Sequence, residues 1–139
     1  MTQTHLSFGK KEKLCSLKLI QRLFAEGKSF VKYPLRISQL TLPTLPEPVC
    51  CQVLVSVSKK KFKRANKRNR IKRQIRESYR RNKHLLTDAL LAQDKKMALA
   101  FIYIPSEELT TAEIEKGMIK ALLHLKEQLE KQDDPNDIL

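Results

Sequence analysis

Glycine is scarce in this chain, with single residues at positions 9, 27 and 117. A loop that cradles phosphate on its backbone needs several glycines within a few residues, so nucleotide binding of that kind is excluded. The three cysteines, Cys15, Cys50 and Cys51, form no C-x-x-C pair, and an odd count argues against a secreted disulfide framework. Reduced thiols in a cytoplasmic protein follow. No apolar run approaches the roughly 20 residues that span a bilayer, so no membrane association is expected. Met1 to Phe8 lacks the charged and apolar regions of a signal peptide. The histidines His5, His84 and His124 are scattered, with no spacing that pairs an acid with a base. Carboxylates crowd into the last third without the Asp/Glu grouping of a two-metal nuclease. Glu107-Glu108 reads more simply as the start of a helix, where negative charge is favoured. Together these absences speak against catalysis by the chain alone: it should carry no catalytic residue and no metal ligand.

What is abundant is positive charge. The chain has 139 residues, 41% hydrophobic and 31% charged, which suits one folded domain over residues 1–132 with a frayed tail at 133–139. Its formal net charge is +13, a field that attracts polyanions. The charge is segregated: +5 over residues 1–58, +13 over 59–104 and −5 over 105–139. The middle third carries the full excess.

Hydrophobic period divides the chain into elements. Leu17, Ile20, Leu23 and Phe24 mark a short amphipathic helix that Ser16 can cap and Gly27 can end. From Lys28 to Leu42 the residues alternate, with Leu35, Ile37 and Gln39 on one side and Arg36, Ser38 and Leu40 on the other, and Pro34 should bend or begin a strand. Pro43, Pro46 and Pro48 predict a hairpin-like loop between two strands. Val49, Cys51, Val53, Val55 and Val57 then alternate with Cys50, Gln52, Leu54, Ser56 and Ser58, the clearest strand in the chain. Helical spacing follows through Ile71, Ile75, Ser78 or Tyr79, Leu85 and Leu86. Met97 to Ile104 is apolar on both sides, as a strand covered on both faces would be, and Pro105 stops it. Ile114, Met118, Ala121, Leu122, Leu125 and Leu129 mark a last amphipathic helix with an acidic outer face. The order is α-β-β-β-α-β-α, an α+β class.

Between Lys59 and Lys83 stand 14 Lys or Arg and one acid, Glu77. Like charges at i,i+4 on a helix repel by a few tenths of a kcal/mol per pair, so a purely structural role explains the block poorly. On a helical wheel Asn69, Lys72, Arg73, Arg76, Arg80 and Lys83 share an arc opposite Ile71 and Ile75, so one face packs and the other is cationic. The seven arginines bring planar forks suited to phosphate and base stacking, and the seven lysines bring point charges. Membrane binding would call for bulky apolar residues opposite the cations, and a zipper-type DNA reader would call for heptads beyond Lys83; neither is present. RNA is the partner this segment suits.

The run from Phe62 to Arg76, centred on Arg68-Asn69-Arg70, resembles the signature of the protein subunit family of bacterial ribonuclease P. The likeness extends to Val55-Ser56-Val57-Ser58-Lys59-Lys60, to Leu23-Phe24-Ala25-Glu26-Gly27 and to the order of elements. The resemblance implies a single-domain α/β sandwich, a roughly four-stranded sheet with three helices, and a left-handed βαβ crossover through the basic helix, against the usual handedness. It implies that Arg64, Lys67, Arg68, Asn69, Arg70, Lys72, Arg73, Arg76 and Arg80 bind the catalytic RNA. It implies a cleft for the single-stranded 5′ leader of precursor tRNA, for which Phe24, Ser56, Ser58 and Lys60 are the candidates. Phe24 reads equally as a stacking surface and as a core residue at helical spacing. In that family the RNA subunit, with Mg²⁺, cleaves the leader from the mature tRNA 5′ end, while the protein holds no cofactor and needs no protein partner. Three positions depart from the family pattern: Ile20 for a second aromatic, Lys63 for a glycine, and Ser106-Glu107 for basic residues. A structural RNA-binding protein using the same basic helix, and a small stand-alone ribonuclease, remain as alternatives.

Overall fold

The computed structural model describes residues 9–45 and 49–132; the tail expected to fray at 133–139, and Met1 to Phe8, lie outside them. After a 3₁₀ turn at Lys10–Glu12, helix α1 spans Leu17–Glu26, strands β1, β2 and β3 span Lys28–Lys32, Leu35–Leu42 and Cys51–Ser56, helices α2 and α3 span Ala65–Asn82 and His84–Ala92, β4 spans Lys96–Tyr103, and α4 spans Thr111–Gln132. The four strands lie in the order β1-β2-β4-β3. β1 and β2 are antiparallel, β2 and β4 are antiparallel, and β3 runs parallel to β4, so α2 and α3 form the crossover between parallel neighbours.

Two local predictions hold for plain reasons. Ser16 Oγ accepts the Leu19 N–H at 3.3 Å and caps α1, and the Gly27 N–H closes it on the Leu23 carbonyl at 2.9 Å. Gly27 is required by space: a Cβ there would stand 2.6 Å from the Gln39 carbonyl oxygen, so the helix end lies directly against β2. The alternation in β3 also holds. Cys51, Val53, Val55 and Val57 are buried, whereas Gln52, Leu54, Ser56 and Ser58 are half-buried.

Three expectations are corrected. β2 and β3 do not pair as a hairpin, because β4 sits between them, and Pro46 and Pro48 of the expected loop lie outside the described residues; the tight reversal lies at Tyr33-Pro34, between β1 and β2. Alternation reports which face a residue takes and not which strand lies beside it. The basic helix and the leucines after it are two helices, making four α-helices among the described residues. At Lys83 the carbonyl accepts from both Leu86 and Thr87, and the buried stripe passes from Ile71, Ile75 and Tyr79 to Leu86 and Leu90. Glu107-Glu108 precede the last helix, which Thr110 starts by accepting the Glu113 N–H on its hydroxyl at 3.2 Å.

The two faces of the sheet are covered unequally. α2, α3 and α4 bury Leu35, Ile37, Cys51, Val53, Val55, Val57, Met97, Leu99, Phe101 and Tyr103 in the main core. On the other face α1 covers one end only, where Leu23 meets Leu42, Ala98 and Ala100, with Leu40 and Leu54 at the margin. The strand register sets the next row on that face as Val31, Arg36, Ile102 and Ser56. Arg36 and Val31 are exposed there, and Ile102 and Ser56 are half-buried. Among the described residues, no helix covers this half of the sheet face.

Candidate nucleic-acid interface

The start of the basic segment is anchored by an apolar residue. Phe62 is buried with its ring 5.9 Å from that of Tyr103, which contributes roughly 1.5–3 kcal/mol of burial. Lys61 Nζ donates to the Ile104 carbonyl, and Arg68 Nη1 donates to the carbonyls of Phe62 at 2.8 Å and Lys63 at 3.0 Å. The loop between β3 and α2 is thereby tied to β4 and to the first turn of α2. That first turn has no acidic residue and no capping side chain, so the positive end of the helix dipole adds to the surrounding cations.

The Arg68-Asn69-Arg70 centre is divided by the structure. Arg68 turns back onto the loop, with Nη1 taken by carbonyls. Arg70 leans toward the segment before α4, where Glu108 stands 3.5 Å away, although its side chain stays 69% exposed. Asn69 faces outward. Further along, Gln74 donates to Thr111 Oγ1 at 3.1 Å, Arg81 pairs with Glu115 at 3.3 Å, and Asn82 donates to Glu115 at 2.9 Å. One flank of α2 is thus bonded to α4 by the Glu115 carboxylate and the Thr111 hydroxyl. The opposite flank is the cationic arc read from the sequence.

On that arc Asn69, Arg73, Arg76, Glu77 and Arg80 line a groove of about 470 Å³ together with Lys13 from the N-terminal segment. Lys72, half-buried, flanks it. Glu77 is the one acid of the groove. Arg80 grips it at 2.7 and 3.0 Å, and that hydrogen-bonded fork holds the carboxyl below its ordinary range. Lys83 leaves the set: it is 7% exposed and its Nζ meets Glu12 Oε1 at 2.6 Å. The wheel placed it on the arc correctly, but the chain's N-terminal segment covers that end of the helix.

A second depression, about 380 Å³, lies where the β3–α2 loop meets the segment after β4, lined by Lys61, Lys63, Arg64, Lys67, Ser106, Glu107 and Glu108 among others. Two of the three departures from the family pattern, Lys63 and Ser106-Glu107, therefore face one another across it. The third, Ile20, is half-buried against the cluster under α1.

Of the cleft candidates, Phe24 and Ser56 lie on the α1 side of the sheet. Phe24 is 50% exposed, which overturns the core reading; Leu17, also expected on the packed stripe, is 76% exposed. Leu23 alone of that helix is fully covered. Ser56 lies in the open row with Ile102 and Arg36. Ser58 stands past the end of β3, where its Oγ accepts the N–H of Lys60 at 3.2 Å and of Lys61 at 3.4 Å, so it shapes the turn that presents Lys60. Sequence reading missed Arg36 and Lys13. Alternation gives Arg36 its side of the strand, and only the register with Ser56 through Ile102 shows that this side is exposed.

No metal-binding group of three or more His, Cys, Asp or Glu occurs among the described residues, and no helix among them is long and apolar enough to cross a membrane. A ribonuclease P family profile matches residues 8–126. The chain belongs to the ribonuclease P protein family. The ribonuclease P protein component of Porphyromonas gingivalis is 41% identical over 116 residues, 84% of each chain. That of Chlorobaculum tepidum is 40% identical over 116 residues, 75% of each chain. In fold the chain resembles the RNase P protein of Staphylococcus aureus, with a TM-score of 0.64 at 23% identity over 84% of this chain and 95% of that one. The Thermotoga maritima RNase P protein gives 0.65 at 21% identity, over 81% and 96%. As a ribonuclease P protein the chain serves tRNA 5′ processing, and its basic surface is consistent with RNA binding.

Proposed function

We propose that the chain binds the catalytic RNA of ribonuclease P through α2 and the single-stranded 5′ leader of precursor tRNA through the open half of the sheet. The observation that carries this reading is the division of α2 into a flank bonded to α4 and a cationic groove whose single carboxylate is already held by Arg80. Arg73, Arg76, Arg80, Asn69 and Lys72 meet the RNA backbone there, with Arg64, Lys67, Arg68 and Arg70 continuing the contact toward the helix N-terminus. Arg68 keeps Nε and Nη2 for RNA while Nη1 fixes its plane. Phe24 offers a stacking face, and Ser56, Ser58, Lys60 and Arg36 offer donors along the open row, which suits an unpaired strand. Hydrolysis is carried out by the RNA subunit with Mg²⁺, in the cytoplasm, and the protein's part is to hold the precursor and favour its leader.

The test is reconstitution. Adding the purified chain to a bacterial ribonuclease P RNA at low Mg²⁺ speeds precursor tRNA cleavage. Absence of any stimulation overturns the proposal, and cleavage by the protein without RNA would place the chemistry in the chain instead.

A further inference from the structure

The N-terminal segment is built into the fold by contacts that the basic helix does not require. Leu14 is buried beside Leu23, Leu42, Ala98 and Ala100, and its N–H donates to the Val53 carbonyl at 2.9 Å. Lys13 bridges Val53 in parallel register, and Gln52 Nε2 donates to the Lys11 carbonyl at 2.9 Å. These bonds occupy the outer edge of β3, which would otherwise be an open strand edge.

Glu12 is the informative residue. It is an acid in the run Lys10-Lys11-Glu12-Lys13, where a carboxylate would repel any polyanion drawn to the lysines. Both of its oxygens are used internally. Oε2 accepts the Gly9 N–H at 2.7 Å, and Oε1 meets Lys83 Nζ at 2.6 Å, with only 20% of its side chain and 9% of that of Lys83 exposed. Lys83 stands where α2 passes into α3, so this pair pins the Lys10–Lys13 segment to the far end of the basic helix. The consequence is that Lys13 lies across the groove from Arg73, Arg76 and Arg80.

We infer that the Lys10–Lys13 segment is the second wall of the RNA-docking groove, with Lys13 contacting a backbone phosphate of the catalytic RNA and Glu12 acting as the positioning residue that sets that wall. This rests on the reading of α2 given above. A groove with cations on both walls encloses a phosphodiester backbone from two sides, which a single helix face cannot do.

The experiment is equilibrium binding of the full chain to an in vitro transcript of a bacterial ribonuclease P RNA across a salt series. Each lost phosphate contact lowers the slope of log affinity against log salt by about 0.7–0.9. Lys13→Ala lowers it by that amount, whereas Lys120→Ala on the exposed side of α4, an equal change in net charge, leaves it unaltered. Glu12→Gln, which removes the charge facing Lys83, falls to the Lys13→Ala slope, and the double variant falls no further. A wild-type slope in Lys13→Ala overturns the inference, as does a double variant whose losses add. Should Glu12→Gln fail to fold, Lys13→Ala decides alone. Arg73→Ala with Arg76→Ala in the same series separates the two levels. If that variant lowers the slope while Lys13→Ala does not, only the second wall is wrong; if neither does, the reading of α2 falls with it.

Discussion

Two arginine pairs in this molecule carry the same formal charge and stand in opposite electrostatic surroundings. Arg73 and Arg76 line the groove of about 470 Å³, where the nearby carboxylate of Glu77 is held by Arg80. Arg22 and Arg81 are ion-paired, with Glu26 and Glu115, each at 3.3 Å. Arg73→Ala/Arg76→Ala and Arg22→Ala/Arg81→Ala both take the net charge from +13 to +11. If the protein neutralises about 6–10 phosphates, the wild type loses roughly 10³–10⁵ in affinity between 50 and 200 mM salt. Removing two contacts at about 0.7–0.9 each leaves the groove variant roughly tenfold less sensitive over that fourfold change in salt. The paired variant leaves Glu26 without its ion pair and Glu115 with Asn82 alone, but removes no proposed phosphate contact, so its salt dependence stays at the wild-type value. Filter binding or fluorescence anisotropy with ribonuclease P RNA at four salt concentrations reads both. Equal loss of slope in the two variants would refute the reasoning, because it would mean that the overall field and not the groove governs binding.

Phe24→Ala removes a half-exposed ring with little to lose in the core, so its unfolding midpoint stays near wild type while the preference for precursor over mature tRNA falls by about 1–3 kcal/mol, the worth of one base stacked on an aromatic; equal weakening for both tRNAs would remove Phe24 from the cleft. Gly117→Ala places a methyl 2.6 Å from the Tyr33 carbonyl oxygen and from Pro34 Cδ, and urea titration should find it destabilised by about 1–3 kcal/mol. An unchanged midpoint would mean that α4 and the β1–β2 turn do not touch as described. Burial pushes the Cys51 thiol from 9.0 up to about 12 and also raises that of Cys50, whereas Cys15 is exposed. A thiol reagent at neutral pH should therefore label one cysteine in the folded chain and three after unfolding. The same shift sets an alkaline limit. Below pH 9 both states hold the Cys51 proton; above it the unfolded chain ionises first, and stability falls by on the order of 1 kcal/mol per pH unit until about pH 12. Flat urea midpoints from pH 8 to pH 11 would contradict this.

The elements that the sequence makes legible are those whose packing is periodic. The stripe of Ile114, Met118, Ala121, Leu122, Leu125 and Leu129 is buried throughout, and the doubly apolar β4 lies in mid-sheet with Met97 to Phe101 all buried. Period does not reveal partners. That β4 inserts between β2 and β3, that Lys83 is taken by Glu12, and that Arg68 folds back on its own loop all depend on residues far apart in sequence or on a side chain choosing a carbonyl over solvent. Phe24 illustrates the same limit in reverse. Its spacing matches Leu23 and Ile20, yet its side chain is 50% exposed, which the period alone does not reveal.

The segregation of charge along the chain has a structural cause of the same kind. An excess of +13 in the middle third followed by −5 in the last third invites a search for an external partner of the acidic end. Within the fold that partner is α2. Glu108 meets Arg70, and Glu115 meets both Arg81 and Asn82, all on the flank that α4 packs against. These are partly exposed pairs, each worth little more than about 1 kcal/mol in stability, so their main effect is on where the field points. By neutralising one flank they leave the positive potential concentrated over the groove. A basic helix of even charge would offer RNA several orientations, whereas a helix shielded along one side offers one. If α2 docks RNA as proposed, Glu108 and Glu115 help to orient it by acting on the flank that packs against α4.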